Sequence, residues 1–344
     1  MTNTKKTVLA GLTLEEMQAF VAKIDESKFR GQQLYNWIYK KSASSFQEMT
    51  DLAKSFREKL EQVALITSTQ VVQRQVSEDG TIKYLLEFAD GQKVETVLMR
   101  FDNRSNLTAC VSSQVGCPVQ CAFCATGELG FVRNLTAQEI VEQILVIQRD
   151  TGLKVTNIVY MGQGEPLMNY NEVIKSISIA NDGLEIGIRR ITISTSGVVP
   201  GIRRLVTENR QLTLALSLHA SNHEIRKELI PLENKYPIDK VIEAMKYLSN
   251  NTGRRVTIEY LMIEDVNDQP EHAKELIYLL KNLNCNINLI PYNSLGNDKY
   301  RKPSRKRIND FRYILDQSGR KCTVRLERGS DIDAACGQLS GKQV

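Results

Sequence analysis

From about Asn106 onward, the chain alternates between short apolar segments with strand character and longer segments with helical periodicity. The apolar segments are TACVSSQ, VTNIVYM, RRITIST, LTLALSLH, RVTIEYLM, INLIPY and CTVRLE, and helical segments such as LTAQEIVEQILVIQRD and IDKVIEAMKYLSN lie between them. This alternation predicts a parallel sheet covered by helices. Six or seven such units can curl into a full or partial (β/α) barrel, with the chemistry at the carboxyl ends of the strands. We therefore predict an α/β fold.

The first hundred residues have a different rhythm. Residues 13–62 repeat apolar positions every three or four residues and predict three short helices, in LTLEEMQAFVAKI, GQQLYNWIYKK and SFQEMTDLAKSFREKL. The pattern then alternates in QVVQRQV, TIKYLLEF and KVETVLM, which are separated by the turn pairs Asp79-Gly80 and Asp90-Gly91. The expected organisation is a helical domain, a β-meander extension and a barrel core, over residues 1–64, 65–105 and 106–344.

Composition and cysteine content narrow the class of protein. No run approaches the roughly 18 apolar residues that a membrane span requires. The start offers only the short apolar stretch VLAGL, which is too little for a signal peptide, so we expect a cytoplasmic protein. Seven cysteines is an odd number, and three of them crowd together, so metal or redox chemistry explains them better than a secreted disulfide framework.

The positive charge is concentrated near the end of the chain. The net charge is +5, but residues 301–328 alone contain ten Arg or Lys and three Asp or Glu, so the remainder is slightly acidic. A basic stretch of this kind indicates a polyanionic partner that docks on one face. A solvated helix surface explains the same composition equally well.

Cys117, Cys121 and Cys124 form a C-x3-C-x2-C pattern in GCPVQCAFCATGELG. Thiolates at this spacing can surround one compact soft-metal centre. Three protein ligands on a four-iron cubane leave one iron open to another ligand. The alternatives are a disulfide or a zinc knuckle, and zinc needs a fourth ligand nearby, whereas the first histidine of the chain is His219.

This cysteine pattern, placed after the first barrel strand and with Phe123 before its third cysteine, resembles the radical S-adenosylmethionine (SAM) superfamily. The resemblance narrows over nearly the whole chain. TACVSSQVGCPVQCAFCATG, GQGEPLMNY, RRITISTSGVVPG, LALSLHA, INLIPYN and DIDAACGQL are together similar to the dual-specificity ribosomal and transfer RNA adenine C2 methyltransferases. Gln163 stands between two glycines where many relatives have Met, which is a conservative departure.

The resemblance implies a 4Fe-4S cluster on the three clustered cysteines and two SAM molecules per turnover. It assigns Cys336 as the residue that carries a methyl group and Cys110 as the thiol that resolves the product, with a Cys110–Cys336 disulfide as by-product. A methyl-carrying cysteine is chemically reasonable because a thiolate is a strong nucleophile. Glu95 matches the position that the family uses as proton acceptor. A carboxylate in a partly dry site is a stronger base, which suits this task. The alternative for Glu95 is a solvent-facing strand residue.

The SAM contacts transfer by motif. Residues at the carboxyl ends of successive predicted strands are expected to bind the cofactor, and Glu165 is expected to accept from its ammonium group. An isolated histidine is more often a satisfied core residue, but His219 ends a buried strand on the predicted active face. The expected contacts are Gly164, Glu165, Ser194, Ser217, Leu218, His219 and Asn293.

The implied partners are 23S rRNA at the peptidyl transferase centre, tRNA 3′ of the anticodon, and an electron donor such as flavodoxin. The N-terminal helical domain is then an RNA-binding accessory domain, and a monomer is the default. The alternatives are the antibiotic-resistance branch that methylates adenine C8, and a non-catalytic iron–sulfur or zinc RNA-binding module. An electron-carrier function is excluded because the chain is too long for one and because the cysteine cluster lacks a fourth thiolate. Cys285 and Cys322 have no implied role, and we expect them to pack as small apolar residues.

Overall fold

A computed structural model describes residues 6–101, 104–208, 210–296 and 299–341. The N-terminal part contains a two-stranded parallel sheet and three α-helices: β1 (Thr7–Val8), α1 (Leu14–Lys23), α2 (Lys28–Tyr35), α3 (Lys54–Val63) and β2 (Ala64–Leu65). Helix α1 begins at a capping box, in which Thr13 and Glu16 each accept from the other's backbone N–H. Its buried residues Met17 and Val21 lie one turn apart and face the core.

The third predicted helix is not continuous. SFQEMTDLAKSFREKL forms a single 3-10 turn, Phe46–Glu48, and α3 starts only at Lys54. A capping box between Ser45 and Glu48 starts the turn, and Asp51 in the break accepts from the indole Nε1 of Trp37 at 2.5 Å. Side chains that bond the backbone or a neighbouring ring compete with helix propagation, and apolar periodicity does not reveal this competition.

The predicted meander forms one sheet with the core. Strands β3 (Gln70–Val76), β4 (Ile82–Glu87), β5 (Lys93–Phe101) and β6 (Arg104–Cys110) pair antiparallel in chain order, so β6 both ends the meander and starts the parallel region. The parallel strands beyond β6 are β9 (Asn157–Tyr160), β10 (Ile191–Thr195), β11 (Thr213–Ser217), β12 (Val256–Met262), β13 (Cys285–Pro291) and β14 (Cys322–Val324). The whole sheet has ten strands.

Helices connect the parallel strands as predicted. The long ones are α5 (Ala137–Thr151), α6 (Tyr170–Asp182), α9 (Ile238–Thr252), α10 (Pro270–Leu279) and α11 (Arg305–Gln317), and the short ones are α4 (Ala125–Glu128), α7 (Val199–Leu205) and α8 (His223–Leu229). A hairpin of β7 (Gln114–Gly116) and β8 (Phe131–Asn134) flanks α4. Six of the seven residues of β12 are buried, as expected for a strand covered on both faces. None of the helices described has the length and apolar character needed to cross a membrane.

The barrel is partial. Within the described residues the sheet ends at β14 on one side and β3 on the other, and these edges do not pair. The C-terminal segment, residues 329–341, bridges them: Ser77 Oγ donates to Asp331 Oδ1 at 2.6 Å, and Gly329 N donates to Asp79 Oδ2 at 3.0 Å. The β3–β4 turn thus holds the segment that carries Cys336.

Candidate active site

Two adjacent cavities lie at the carboxyl ends of the parallel strands. The larger cavity has a volume of about 530 Å³, and Val97, Cys110 and Arg328 are among its lining residues. The smaller cavity, about 150 Å³, is lined by the three clustered cysteines and by residues at the ends of β9, β10 and β11. The residues that line both cavities form the wall between them: Met161, Ile290, Arg325, Cys336 and Gly337.

The three clustered cysteines lie on the loop between β7 and α4, and all of them line the smaller cavity. The loop is fixed by backbone hydrogen bonds from Cys117 N to Gly130 O and from Ala122 N to Leu229 O. Within the loop, the Phe123 ring packs edge-on against the ring of His219, with 5.1 Å between centroids. The loop therefore presents three thiols to the same space as the strand ends.

The chemistry of these thiols fits an iron–sulfur cluster. Burial raises the pKa of Cys117 to about 12 and also raises the pKa of Cys121 and Cys124. Bound iron reverses this effect, because metal-bound thiols lose their protons. In the described part of the chain, no three His, Cys, Asp or Glu side chains are arranged to hold a single metal ion. A cubane does not require such convergence, since each thiolate binds a different iron atom.

Glu165 lines the smaller cavity from the loop after β9 and is 2% exposed. Its carboxylate accepts from Leu167 N at 3.1 Å and from Ser196 N at 2.6 Å. Burial raises the pKa of Glu165, and the hydrogen bonds oppose this shift. The preceding Gly164 has φ +102°, and a Cβ there would lie 2.6 Å from the Cβ of Gln114, so the loop requires glycine. The carboxylate is thus fixed where it can accept from a bound ammonium group.

His219 lines the same cavity just after β11. Its Nδ1 accepts from Leu261 N at 3.0 Å, so in the neutral ring Nε2 carries the proton. Burial, reinforced by the charge of Arg226, lowers the pKa of His219 to about 3. Both interpretations of His219 from the sequence therefore hold. It is a buried histidine with a satisfied Nδ1, and it also lines the cavity.

Of the remaining predicted cofactor contacts, Ser194 and Ser217 line the smaller cavity, and their hydroxyl oxygens lie 3.0 Å apart. Leu218 is fully buried and is not among the residues that line either cavity. Asn293, after β13, lines the larger cavity. The structure therefore brings the other predicted contacts together around the smaller cavity, whereas Asn293 lines only the larger one and Leu218 lines neither.

Cys336 is held in the wall between the cavities by its neighbours. Asn293 Nδ2 donates to the backbone carbonyl of Cys336 at 3.0 Å, and Ala125 N, in α4, donates to Gly337 O at 2.8 Å. The backbone next to Cys336 is therefore attached to α4, the helix that follows the clustered cysteines. The thiol-bearing residue lies between the space beside the cysteine loop and the larger cavity.

Cys110, the last residue of β6, lines the larger cavity together with Cys336. Burial raises the pKa of Cys110 to about 12, and the nearby Cys336 adds to the shift. All seven cysteines lie within the described ranges and all are free thiols, so no disulfide joins Cys110 to Cys336 in this structure. Cys322 is buried in the core, and Cys285 is half-buried against the core, accepting from Arg320 Nη1 at 3.5 Å.

Glu95 neither faces solvent nor lines a cavity, which are the two positions that the sequence suggested for it. It is 1% exposed, which excludes a solvent-facing strand residue, and it is not among the residues that line either cavity. Its Oε1 lies 3.0 Å from Lys83 Nζ, and its Oε2 accepts from Gly341 N at 2.8 Å. Val97 and Met99, on the same face of β5, do line the larger cavity.

Comparison with known proteins decides the family. Residues 7–66 match the profile of the ribosomal RNA large subunit methyltransferase N-terminal domain, and residues 111–277 match the radical SAM superfamily. A probable dual-specificity RNA methyltransferase RlmN from Syntrophomonas wolfei is 46% identical over 351 residues, covering 98% of each chain. A protein of the same name from a Thermoanaerobacter species is 47% identical, covering 97% of this chain and 98% of that one. The chain belongs to the RlmN family.

A solved structure extends this result to the fold. The crystal structure of a radical SAM methyltransferase from Sphaerobacter thermophilus superposes with a TM-score of 0.94 at 44% identity, covering 98% of this chain and 100% of that one. The predicted radical SAM fold and the predicted class, an RNA methyltransferase, are therefore confirmed. The cysteine loop and the ends of β9 to β12 lie within the residues that match the radical SAM superfamily, whereas β13, β14 and Cys336 lie beyond them.

Sequence reasoning missed two charged residues that line these cavities and belong to no motif. Arg325 lines both cavities, and its Nη1 lies 3.8 Å from the sulfur of Met161. The nearby Cys336 is the main cause of a raised pKa of Arg325. Glu259 lines the smaller cavity with its Oε2 buried and without a hydrogen-bond partner in the described residues, and burial raises its pKa. Arg325 directly follows β14, and this position was the available signal, whereas Glu259 lies in the middle of β12.

The basic stretch is divided between two environments. Arg305 and Lys306, at the start of α11, are exposed, whereas Arg307 donates to Gln269 Oε1 at 2.7 Å. Arg325, from the same stretch, lines the two cavities and does not belong to the exposed face of α11. Only part of the predicted charge is therefore available to an external polyanion.

Proposed function

We propose that this protein methylates C2 of adenosine in 23S rRNA, at the peptidyl transferase centre, and in tRNA, 3′ of the anticodon. The observation that carries the proposal is the position of Cys336, which lines both the cavity beside the three clustered cysteines and the cavity that contains Cys110. A residue that receives a methyl group on one side and delivers it on the other requires this position. Relatives named as dual-specificity RNA methyltransferases support the choice of substrates.

Cys117, Cys121 and Cys124 hold a 4Fe-4S cluster, and the surrounding strand ends hold SAM. When bound, these cofactors supply an electron and a deoxyadenosyl radical that removes a hydrogen atom from a methyl group. Glu165 accepts from the ammonium group of SAM, and the His219 Nε2–H donates to an acceptor of the cofactor. Ser194 and Ser217 contribute hydroxyls, Leu218 contributes backbone, and Asn293 contributes its amide.

Two SAM molecules would be used per turnover: the Cys336 thiolate would take a methyl group from the first by displacement, and the second would supply the radical chemistry. Adenine C2 is not nucleophilic, so the carbon attached to Cys336, after loss of a hydrogen atom, adds to C2 as a radical and joins protein to RNA covalently. The adduct gives up one electron to a one-electron acceptor such as the redox partner, and Glu95 accepts the C2 proton. The Cys110 thiol then loses its proton and attacks the Cys336 sulfur. The bond from that sulfur to the carbon breaks, the carbon takes up a proton to become the methyl group of the released RNA, and a disulfide is left for re-reduction.

The remaining parts of the proposal concern the surroundings of the reaction. The helical domain over residues 1–64 assists RNA binding, the extension over 65–105 joins it to the core over 106–344, and the exposed cations of α11 contact phosphates. The enzyme acts as a cytoplasmic monomer that receives electrons from a donor such as flavodoxin.

Anaerobic reconstitution with iron and sulfide, followed by nucleoside analysis of treated rRNA and tRNA, tests this function. The expected products are 2-methyladenosine in both RNAs and 5′-deoxyadenosine from SAM. Formation of 8-methyladenosine without 2-methyladenosine would assign the chain to the C8 reaction instead. A protein that binds RNA but yields no 5′-deoxyadenosine under these conditions would be a binding module.

A further inference from the structure

Lys83 and Glu95 form a buried ion pair that no motif indicates. Lys83 Nζ lies 3.0 Å from Glu95 Oε1, and the two side chains are only 4% and 2% exposed. Removing two charges from water costs several kcal/mol per ion, so a buried pair is weak evidence of a stabilising role. A pair of this kind beside a reaction cavity calls for a functional explanation.

The register of the sheet places this pair beside the reacting thiols. Lys83 on β4 is directly opposite Val97 on β5, and Val97 is directly opposite Cys110 on β6. Directly opposed residues project from the same face of a sheet, and so do residues two apart on one strand, such as Glu95 and Val97. The ammonium, the carboxylate and the Cys110 thiol therefore share the face that borders the larger cavity.

The pair also binds the segment that carries Cys336, on both sides of that residue. Lys83 Nζ donates to the backbone carbonyl of Asp333 at 3.2 Å, and Gly341 N donates to Glu95 Oε2 at 2.8 Å. Asp333 and Gly341 flank Cys336 in the sequence. One buried ammonium thus connects the carboxylate to the segment of the methyl-carrying cysteine.

We propose that Lys83 is a positioning residue for proton removal, which holds the Glu95 carboxylate beside the Cys336 segment. This inference rests on the proposed function. The proton leaves adenine C2 and binds a Glu95 carboxylate oxygen, which gives a carboxylic acid, while Lys83 keeps all of its protons. The Gly341 N–H uses only one lone pair of Oε2, so the oxygen can still take a proton, but Glu95 lines neither cavity and reaches adenine only after the Gly341 backbone moves away.

The test is Lys83→Met in the cluster-loaded protein, with three measurements. Methylation of Cys336 by labelled SAM without RNA should remain within about twofold of wild type, since displacement at sulfur needs no base. Release of 2-methyladenosine should slow on the order of 10²-fold, the usual contribution of a positioned base, and a covalent protein–RNA adduct should accumulate. RNA deuterated at adenine C2 should show a larger isotope effect on release with the variant than with wild type.

Three further variants complete the experiment. Lys93→Met removes the half-exposed Lys93–Glu87 pair, 3.3 Å apart and formed between the same two strands, and should match wild type in every measurement. Lys83→Arg keeps a cation and should recover part of the release rate while Cys336 methylation stays normal. Where Lys83→Met does not fold, the neutral but polar Lys83→Gln takes its place, and an adduct-to-product ratio equal to wild type in that variant would overturn the inference.

The remaining outcomes separate this inference from the proposed function. Normal release by Lys83→Met overturns the positioning role and leaves the function intact. An equal loss of Cys336 methylation and of release identifies the pair as a purely structural anchor. If wild type itself makes no 2-methyladenosine, the proposed function fails and the role of Lys83 fails with it.

Discussion

The side-chain amide of Asn293 donates a 3.0 Å hydrogen bond from Nδ2 to the backbone carbonyl of Cys336. The other atom of this amide, Oδ1, is buried and has no hydrogen-bond partner in the described residues. A buried acceptor without a partner costs about 1–3 kcal/mol, which a bound donor would recover. The same residue thus fixes the cysteine backbone and has a buried acceptor without a partner beside the larger cavity.

Replacement of Asn293 by Asp retains an acceptor but removes the donor to the Cys336 carbonyl. The loss of one hydrogen bond of about 1–1.5 kcal/mol should slow methylation of Cys336 by roughly tenfold. Transfer of label from SAM to the protein, followed over time without RNA, measures this rate. Ser294→Ala is the matched control and should behave as wild type, because only the backbone carbonyl of Ser294 bonds the segment. Equal rates for Asn293→Asp and wild type would dissociate Asn293 from Cys336.

Substitution of either cysteine of the larger cavity should block the reaction, but at a different step for each. Cys336→Ala should abolish labelling of the protein by SAM, since the methyl acceptor is gone. Cys110→Ala should instead be labelled normally and then accumulate a covalent RNA adduct, because no thiol can attack the Cys336 sulfur. Denaturing gels with labelled SAM and labelled RNA distinguish these species. Label on Cys336→Ala, or normal turnover by Cys110→Ala, contradicts the assigned role of that residue.

Arg305 and Lys306 are the exposed cations at the start of α11. Their joint replacement by Ala should weaken RNA binding and reduce the slope of log affinity against log salt by about 1.4–1.8, for two lost phosphate contacts. Binding titrations at several salt concentrations give this slope. Arg312→Ala, which breaks a pair with Asp316 on the same helix, serves as the control and should change the slope much less. An unchanged slope in the double variant returns the stretch to a solvated surface.

The lowered pKa of His219 predicts a pH-dependent contribution to stability. Because burial holds this pKa near 3, the contribution is complete above the unfolded value of about 6.5 and is lost as the pH falls towards 3. Between pH 7 and pH 5, wild type should therefore lose about 2 kcal/mol more than His219→Asn does. Asn tolerates the left-handed backbone, φ +56°, at this position. Urea unfolding of the cluster-free protein measures both values, and parallel pH dependences would refute the assignment.

Local sequence signals predicted the parts of the fold that depend on one periodicity. Apolar alternation located β3 to the residue and β12 within one residue of its bounds, and helical periodicity placed α9 within two residues of its bounds. The same reasoning failed where side chains compete with the backbone, as at Ser45 and Asp51, because apolar periodicity does not register those bonds. Whether the barrel closes was also beyond reach, since it depends on the two sheet edges, which are distant in the sequence.

The site was predictable as far as motifs extend. The cysteine spacing and the strand-end residues named a set that the structure gathers around two cavities, including His219 and Cys336. The burial of Lys83 and Arg325 was not predicted, because a cation in a predicted strand gives no sign of burial until the neighbouring strands are known. The same limit applies to Glu95, whose environment is set by Gly341, 246 positions away.

The bridge between the sheet edges has a consequence for the timing of assembly. The bond between Ser77 and Asp331 spans 254 positions, so a ribosome must add all the residues between them before it can form. A partly synthesised protein can contain the cysteine loop and most of the sheet before Cys336, the proposed methyl acceptor, has been added. Folding of the sheet can thereby precede the arrival of the proposed reactive residue.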